Sequence, residues 1–339
     1  MRIGVMTAGG DCPGLNAAIR GVVTRAAAGG VETIGFENGW QGLMEGTYRL
    51  LDRDDVRGII VRGGTILGTS RIDPYVHGEG YASVLATLTD TGVDRLVVIG
   101  GDGTLRTAAR LNAEGLGVVG VPKTIDNDIG GTDVSFGFHT AVQIVTDAID
   151  RLTTTAEAHN RVMVVEVMGR TTGWIATYAG MAGGAEAILV PERDYDIEDL
   201  AARLVARHGA GHNYSIVVVA EGVRSPGGES HKKGVDAFGF ERLGGVGEAV
   251  ADALEARTGF ECRTMVLGHL QRGGTPTAFD RVLATRLGVA AAEAVLEGLS
   301  GVMMALRGDE IVPVDLDDAC RDVRTLDPDR HATAAWFFA

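Results

Sequence analysis

Leu96-Val97-Val98-Ile99-Gly100-Gly101-Asp102-Gly103-Thr104 decides the fold of this chain. Four apolar residues in a row, closed by glycine, read as a strand buried on both faces, the pattern of a parallel sheet. The Gly-Gly-Asp-Gly-Thr that follows turns the chain sharply and opens a stretch with helical spacing. The same phrase begins the chain as Ile3-Gly4-Val5-Met6-Thr7-Ala8-Gly9-Gly10-Asp11, and looser versions follow in Val164-Val165-Glu166-Val167-Met168-Gly169-Arg170 and Met265-Val266-Leu267-Gly268-His269. Further Val- and Ile-rich runs at 118–121, 162–167, 188–190 and 216–220 alternate with Ala-rich stretches. The alternation predicts an α/β protein with mostly parallel sheets, the glycine-terminated phrases gathering along the carboxyl edges of their strands, where such folds bind ligands.

With 339 residues, 45% of them hydrophobic, the chain is expected to form about two globular domains. A formal charge of -14, from 31 Lys+Arg against 45 Asp+Glu, argues against a nucleic-acid or anionic-membrane partner. Cys12, Cys262 and Cys320 are odd in number and far apart, so neither a disulfide framework nor a zinc site is expected. The apolar start is too short for a signal peptide and no run reaches membrane-spanning length, which together predict a cytoplasmic protein. Pro226-Gly227-Gly228-Glu229-Ser230-His231-Lys232-Lys233-Gly234 reads as an exposed, mobile loop, the stretch 249–257 as an amphipathic helix, and Trp336-Phe337-Phe338 as a terminal segment docked on another element.

The chemistry sits in the turns. Gly115-Leu116-Gly117-Val118-Val119-Gly120 matches a dinucleotide pattern but precedes a strand instead of following one, which counts against a Rossmann fingerprint, and no Gly-Lys-Ser/Thr exists, which excludes a P-loop. The two Gly-Gly-Asp turns instead offer backbone N–H groups that no side chain shields, a phosphate cradle at a helix start. Asp102 is placed to hold Mg2+, which takes one or two carboxylates and completes its shell with phosphate oxygens and water. An aspartate after two glycines also serves as an ordinary helix cap. Pro122-Lys123-Thr124-Ile125-Asp126-Asn127-Asp128 follows a strand directly, and two aspartates two residues apart in an extended stretch would point the same way. One could hold a metal-bound water while the other faces substrate; an Asx-type turn is the competing account. A carboxylate base is sufficient for phosphoryl transfer, whose loose transition state needs little early deprotonation. Arg71, Arg161, Arg170, Arg263 and Arg272 are candidate phosphate ligands, and with Lys232 and Lys233 as the chain's other lysines, Lys123 beside the paired aspartates stands out.

Six motifs, taken in order, resemble the bacterial 6-phosphofructokinase family over nearly the whole chain: Gly9-Gly10-Asp11-Cys12-Pro13-Gly14-Leu15-Asn16, Arg62-Gly63-Gly64-Thr65 through Arg71, Gly100 to Thr104, Pro122 to Asp128, Val164 to Arg170, and Leu267 to Gly274. The resemblance implies two similar three-layer α/β/α lobes with mostly parallel sheets, 1–137 plus about 271–323 for the phosphoryl donor and about 138–270 plus 324–339 for the sugar phosphate. It implies transfer of a phosphoryl group from ATP to the 1-hydroxyl of fructose 6-phosphate, with Mg2+, in a homodimer or homotetramer that shares its active sites. Carried over by motif, Gly10, Arg71, Ile72, Gly101, Asp102, Gly103 and Thr104 hold the donor, with Asp102 on the metal. Asp126 is the base, flanked by Thr124, Ile125 and Asp128; Arg71 and Arg170 join Asp126 and Thr124 in catalysis. Met168, Gly169, Arg170 and Glu221 hold the sugar. His269 and Arg272 bind its 6-phosphate, with Leu270 and Gln271 between them, and Arg161 and Arg263 reach in from a neighbouring subunit.

The chain departs from the family in three places. Arg20 and Arg53 match the effector-binding set of the allosteric members, but Thr24, Thr153 and the lysine-free stretch 206–213 do not. An insertion spans about 225–247. The donor-specificity pair is mixed, because ATP users carry glycine at the positions of Gly103 and Lys123 whereas pyrophosphate users carry aspartate and lysine. A side chain at 103 would fill space the nucleotide needs, while a flexible lysine at 123 can swing aside, which favours ATP. Pyrophosphate as donor, a lipid or NAD kinase with the same turn, and a non-catalytic sugar-phosphate sensor are the alternatives.

Overall fold

The computed structural model describes residues 1–225, 232–235 and 241–338. The chain divides into two compact units, Met1–Thr140 with Arg272–Arg324 and Ala141–Gln271 with Thr325–Ala339. It passes between them three times, at 140/141, 271/272 and 324/325. The expected cuts at 137/138, 270/271 and 323/324 lie one to three residues earlier.

The first unit is built on β1 (Arg2–Ala8), β2 (Glu32–Phe36), β3 (Tyr48–Leu51), β4 (Arg95–Gly100), β5 (Val118–Thr124), the short β6 (Phe136–Gly137), and late in the chain β13 (Val302–Arg307) and β14 (Glu310–Asp315). The sheet order is β14-β13-β5-β4-β1-β2-β3, with β6 beside β5. β3 and β14 run antiparallel at the two edges and the rest is parallel. Its helices are α1 (Leu15–Ala28), α2 (Trp40–Glu45), α3 (Gly80–Thr91), α4 (Asp102–Ala113), the start of α5 (Phe138–His159), α9 (Ala278–Leu296) and α10 (Leu316–Ala319). The central strands are apolar throughout because both faces are covered: β5 is buried at every residue and Val5, Val97 and Val119 are 0% exposed. α1 and α9 approach closely through glycine, since a Cβ on Gly288 would stand 2.2 Å from the Ala18 carbonyl.

The second unit has a four-stranded, fully parallel sheet in the order β12-β7-β9-β8, with β7 (Val162–Val167), β8 (Ala187–Leu189), β9 (Ser215–Ala220) and β12 (Cys262–Val266). α6 (Trp174–Ala182), α7 (Ile197–Gly209), α8 (Val246–Thr258) and α11 (Pro328–Ala335) accompany it, and β10 (Lys232–Val235) pairs with β11 (Glu241–Leu243) as a separate ribbon. The α/β class with mostly parallel sheets is therefore present in both units.

Three expectations change. Residues 226–231 of the expected loop lie outside the described residues, and 232–234 belong to β10. Trp336 and Phe337 are 87% and 75% exposed rather than docked; only Phe338 of the three turns inward, its ring 5.7 Å from that of His331. The 124–128 segment is not extended, because the chain bends at Ile125 and Asp126 and Asn127 adopts a left-handed φ of 54°. The period-two argument for its aspartates therefore lapses, although Asp126 and Asp128 are both buried, at 3% and 5% exposure. All three cysteines are free and buried, each thiol pushed up to about 12 chiefly by burial.

Candidate active site

In the first unit, Ala8, Gly100 and Pro122 lie side by side in register at the carboxyl ends of β1, β4 and β5. Adjacent parallel strands stand about 4.8 Å apart, so the Gly9-Gly10-Asp11 turn, the Gly101–Thr104 turn and the 122–128 segment form one rim. Each turn follows a strand whose apolar face is already committed to the core. That leaves its polar residues at the open edge.

Gly9 has a φ of 85° and is fastened to the neighbouring loop, its N–H donating to Ser70 O at 3.0 Å while its carbonyl accepts from Thr69 Oγ1 at 2.7 Å. Arg71 follows directly on that loop. A Cβ on Gly10 would meet Arg272 Nη1 at 2.7 Å and Arg71 Nη2 at 3.4 Å, so two guanidinium groups converge over the bare glycine. Arg272 Nη1 also donates to the Asp11 carbonyl at 3.2 Å. From beneath, the Lys123 ammonium, 3% exposed, donates to the Gly10 carbonyl. Burial is the chief reason its pKa falls from 10.5 to about 8; Cys12, Asp11 and Asp126 pull it up and Arg272 pushes it down.

Asp102 begins α4, and the N-cap, Gly101, supplies no side-chain hydrogen bond, so the first-turn N–H groups are left to other acceptors. The Asp102 carboxylate is 14% exposed and pairs with Arg106 one turn on, at 3.0 Å. Thr107 Oγ1 closes back on the Gly103 carbonyl at 3.1 Å. No group of three or more His, Cys, Asp or Glu among the described residues could enclose a metal by itself. A single carboxylate beside a phosphate cradle instead suits a cation that arrives with its phosphate oxygens, the habit of Mg2+.

The 124–128 segment is pinned from several directions. Ser135 donates its hydroxyl to Thr124 O at 3.0 Å and its N–H to Asn127 Oδ1 at 3.1 Å. Asp126 N–H bonds Thr124 Oγ1 at 3.1 Å. Arg324 donates its backbone N–H to Asp128 O at 2.8 Å and its Nη1 to Asn127 O at 3.3 Å. Asparagine tolerates the left-handed turn that redirects Asp126, where a branched residue would be strained.

In the second unit, β7 and β9 end side by side, with Val167 opposite Ala220. Met168 N–H bonds Gln271 Oε1 at 3.2 Å, and Gln271 Nε2 bonds Gly268 O at 3.0 Å. Gln271 is 0% exposed, so its side chain braces the turn and does not face a ligand. Gly169 and Arg170 both have positive φ, 146° and 52°, and Arg170 N–H is held by Glu221 Oε1 at 3.0 Å. Gly222 has to be glycine because a Cβ there would lie 2.0 Å from Arg170 O. His269 and Leu270 are exposed, Leu270 by 70%.

Arg161 and Arg263 stand elsewhere. Arg161 Nε pairs with Glu261 at 2.8 Å and Arg263 pairs with the same carboxylate, just before β7 and early in β12. From Arg161 to Met168 is seven residues of strand, about 23 Å at the usual rise. The unit does not bring these two arginines to Arg170. Sequence reasoning missed Glu261, Ser135, Arg324 and Arg106. Of these, Arg106 had a readable signal, the four-residue spacing from Asp102.

The profile of the family described as Phosphofructokinase matches residues 2–295. A pyrophosphate–fructose 6-phosphate 1-phosphotransferase of Amycolatopsis methanolica is 55% identical over 100% of both chains. ATP-dependent 6-phosphofructokinase 3 of Streptomyces coelicolor is 53% identical, over 98% of this chain and 99% of the relative. Among solved structures, Pichia pastoris phosphofructokinase superposes with a TM-score of 0.83 at 34% identity, covering 94% of this chain but 35% of that one. The chain belongs to the phosphofructokinase family.

Proposed function

We propose that the protein is an ATP-dependent 6-phosphofructokinase, transferring the terminal phosphoryl group of ATP to the 1-hydroxyl of fructose 6-phosphate. The observation that carries this is the rim formed by β1, β4 and β5, whose ends stand in register and lead into two bare glycine turns, the Asp102 carboxylate and the buried Asp126. The first unit binds the donor through Gly10, Arg71, Ile72 and Gly101 to Thr104, and the second binds the sugar through Met168, Gly169, Arg170, Glu221 and His269. Asp126 accepts the proton of the 1-hydroxyl as its oxygen forms the new bond to phosphorus and the bond to the ADP oxygen breaks. Arg71, Arg170 and Arg272 face the charge on donor and sugar phosphates. Asp102 is the residue that would hold Mg2+, which neutralises donor phosphate charge when bound.

The remoteness of Arg161 and Arg263 from Arg170 supports a homo-oligomer in which they serve a neighbour's site. Among the described residues no helix is long and apolar enough to cross a membrane, and a cytoplasmic glycolytic role fits the family. ATP is favoured because Gly103 leaves the α4 start open and because Lys123 is turned inward onto Gly10. The pyrophosphate reading is kept by Lys123 itself and by the Amycolatopsis methanolica relative. Coupled assays of the purified protein with fructose 6-phosphate and either donor decide it; turnover with pyrophosphate and none with ATP would reverse the choice of donor.

A further inference from the structure

Arg71, Arg272 and Lys123 surround the Gly9-Gly10-Asp11 turn, and a fourth cation stands at the other turn without an assigned task. Arg106 lies one turn beyond Asp102 on the same face of α4. Its Nε reaches both carboxylate oxygens, at 3.0 and 3.1 Å. That is a single N–H shared between two acceptors, not the pair of parallel bonds that makes an arginine–carboxylate contact strong. The pair is also unequally buried, the Asp102 side chain being 14% and the Arg106 side chain 48% exposed, so about half of the arginine stands open to solvent. Beside it the α4 start has no side-chain cap.

These facts describe a carboxylate kept in place by a contact that is easily exchanged. Were Asp102 to hold a Mg2+-bound donor, the guanidinium would be released from that carboxylate beside the donor phosphates, and its planar fork suits phosphate oxygens. We propose that Arg106 is a donor-phosphate ligand, whose guanidinium exchanges the Asp102 carboxylate for a phosphate of the incoming donor. The proposal rests on the donor site assigned above. It places a cation on the α4 side of the donor, in addition to Arg71 and Arg272 beside Gly10.

The test uses the full-length protein with Arg106→Gln and Arg106→Lys, checked by melting curves. Calorimetric titrations with Mg2+ alone, Mg2+ plus ADP, and Mg2+ plus methylenediphosphonate are run without sugar, beside steady-state kinetics. Loss of a charge-assisted contact to phosphate is expected to weaken Mg2+-ADP binding and raise the donor KM by about 10- to 100-fold in Arg106→Gln. Fructose 6-phosphate KM should stay within about twofold, and Arg106→Lys should recover part of the loss, as a point charge without the fork. Unchanged or tighter Mg2+-ADP binding in Arg106→Gln would overturn the proposal, because a side chain that merely competes with the metal for Asp102 behaves so. An equal rise in both KM values would overturn it too. A parent enzyme that turns over with neither donor sinks the assigned reaction, while the titrations still decide the role of Arg106.

Discussion

Replacing Lys123 with methionine should stabilise the protein at neutral pH and weaken that benefit as pH rises. The parent ammonium is 3% exposed, and its pKa of about 8 against 10.5 means that the folded chain disfavours the charged form. At about 1.36 kcal/mol per unit, the drop of about 2.5 units corresponds to roughly 3.4 kcal/mol. Below pH 8 both folded and unfolded chains carry the proton, and the folded state bears the whole penalty. Between pH 8 and 10.5 the unfolded chain binds more protons than the folded one, so stability rises with pH, by about 2 kcal/mol at pH 9.5. Methionine removes the charge at similar length but leaves the Gly10 carbonyl without its donor, a loss of about 1–3 kcal/mol. The net expectation is a gain of about 1–2 kcal/mol at pH 7 that vanishes or reverses at pH 9.5. Urea unfolding of both proteins at the two pH values reads this through Trp40 and Trp174, which are 0% and 1% exposed and report on the first and second units. Comparing variant with parent at each pH cancels the opposing titration of the buried cysteines. A variant less stable than the parent at pH 7, or an advantage equal at both pH values, would refute the reasoning.

Asp126→Asn should lower kcat by about 100- to 10,000-fold with fructose 6-phosphate KM little changed, measured in a coupled assay. Arg207→Leu strands the Glu186 carboxylate, which is 8% exposed, lies 2.7 Å from that guanidinium and accepts the Ile216 N–H at 2.6 Å. It should cost about 3–5 kcal/mol, and Glu186→Gln in the same chain should restore most of the lost melting temperature. Gly63→Ala brings a Cβ within 2.2 Å of the Gly274 carbonyl, and a loss of about 1–3 kcal/mol in chemical denaturation is expected.

The strands legible in the sequence were those buried on both faces. β4, β5, β7 and β9 are continuous apolar runs that a parallel sheet requires, whereas β3 and β14 are edge strands whose mixed residues look like loop. The turn glycines were legible because few residues can follow a strand with a left-handed or uncovered backbone. Nothing local disclosed how Asp126 is aimed. Its orientation depends on Ser135 and Arg324, eleven residues from Thr124 and nearly two hundred from Asn127 respectively. Gln271 sat inside a convincing motif, yet only packing revealed that its amide is used up within the second unit.

The order of the chain through its two units bears on how it is made. β5 is complete at residue 124, but β13, its parallel neighbour, begins at Val302, and α1 waits for α9 until residue 278. During synthesis the first 140 residues therefore emerge with an open sheet edge and an uncovered helix face. The whole of Ala141–Gln271 is translated before either can be closed. That intervening stretch carries its four strands and most of its helices contiguously, so it can fold while still on the ribosome. The first unit, although begun first, is finished second, and its half-built sheet is the segment that chaperones would have to guard.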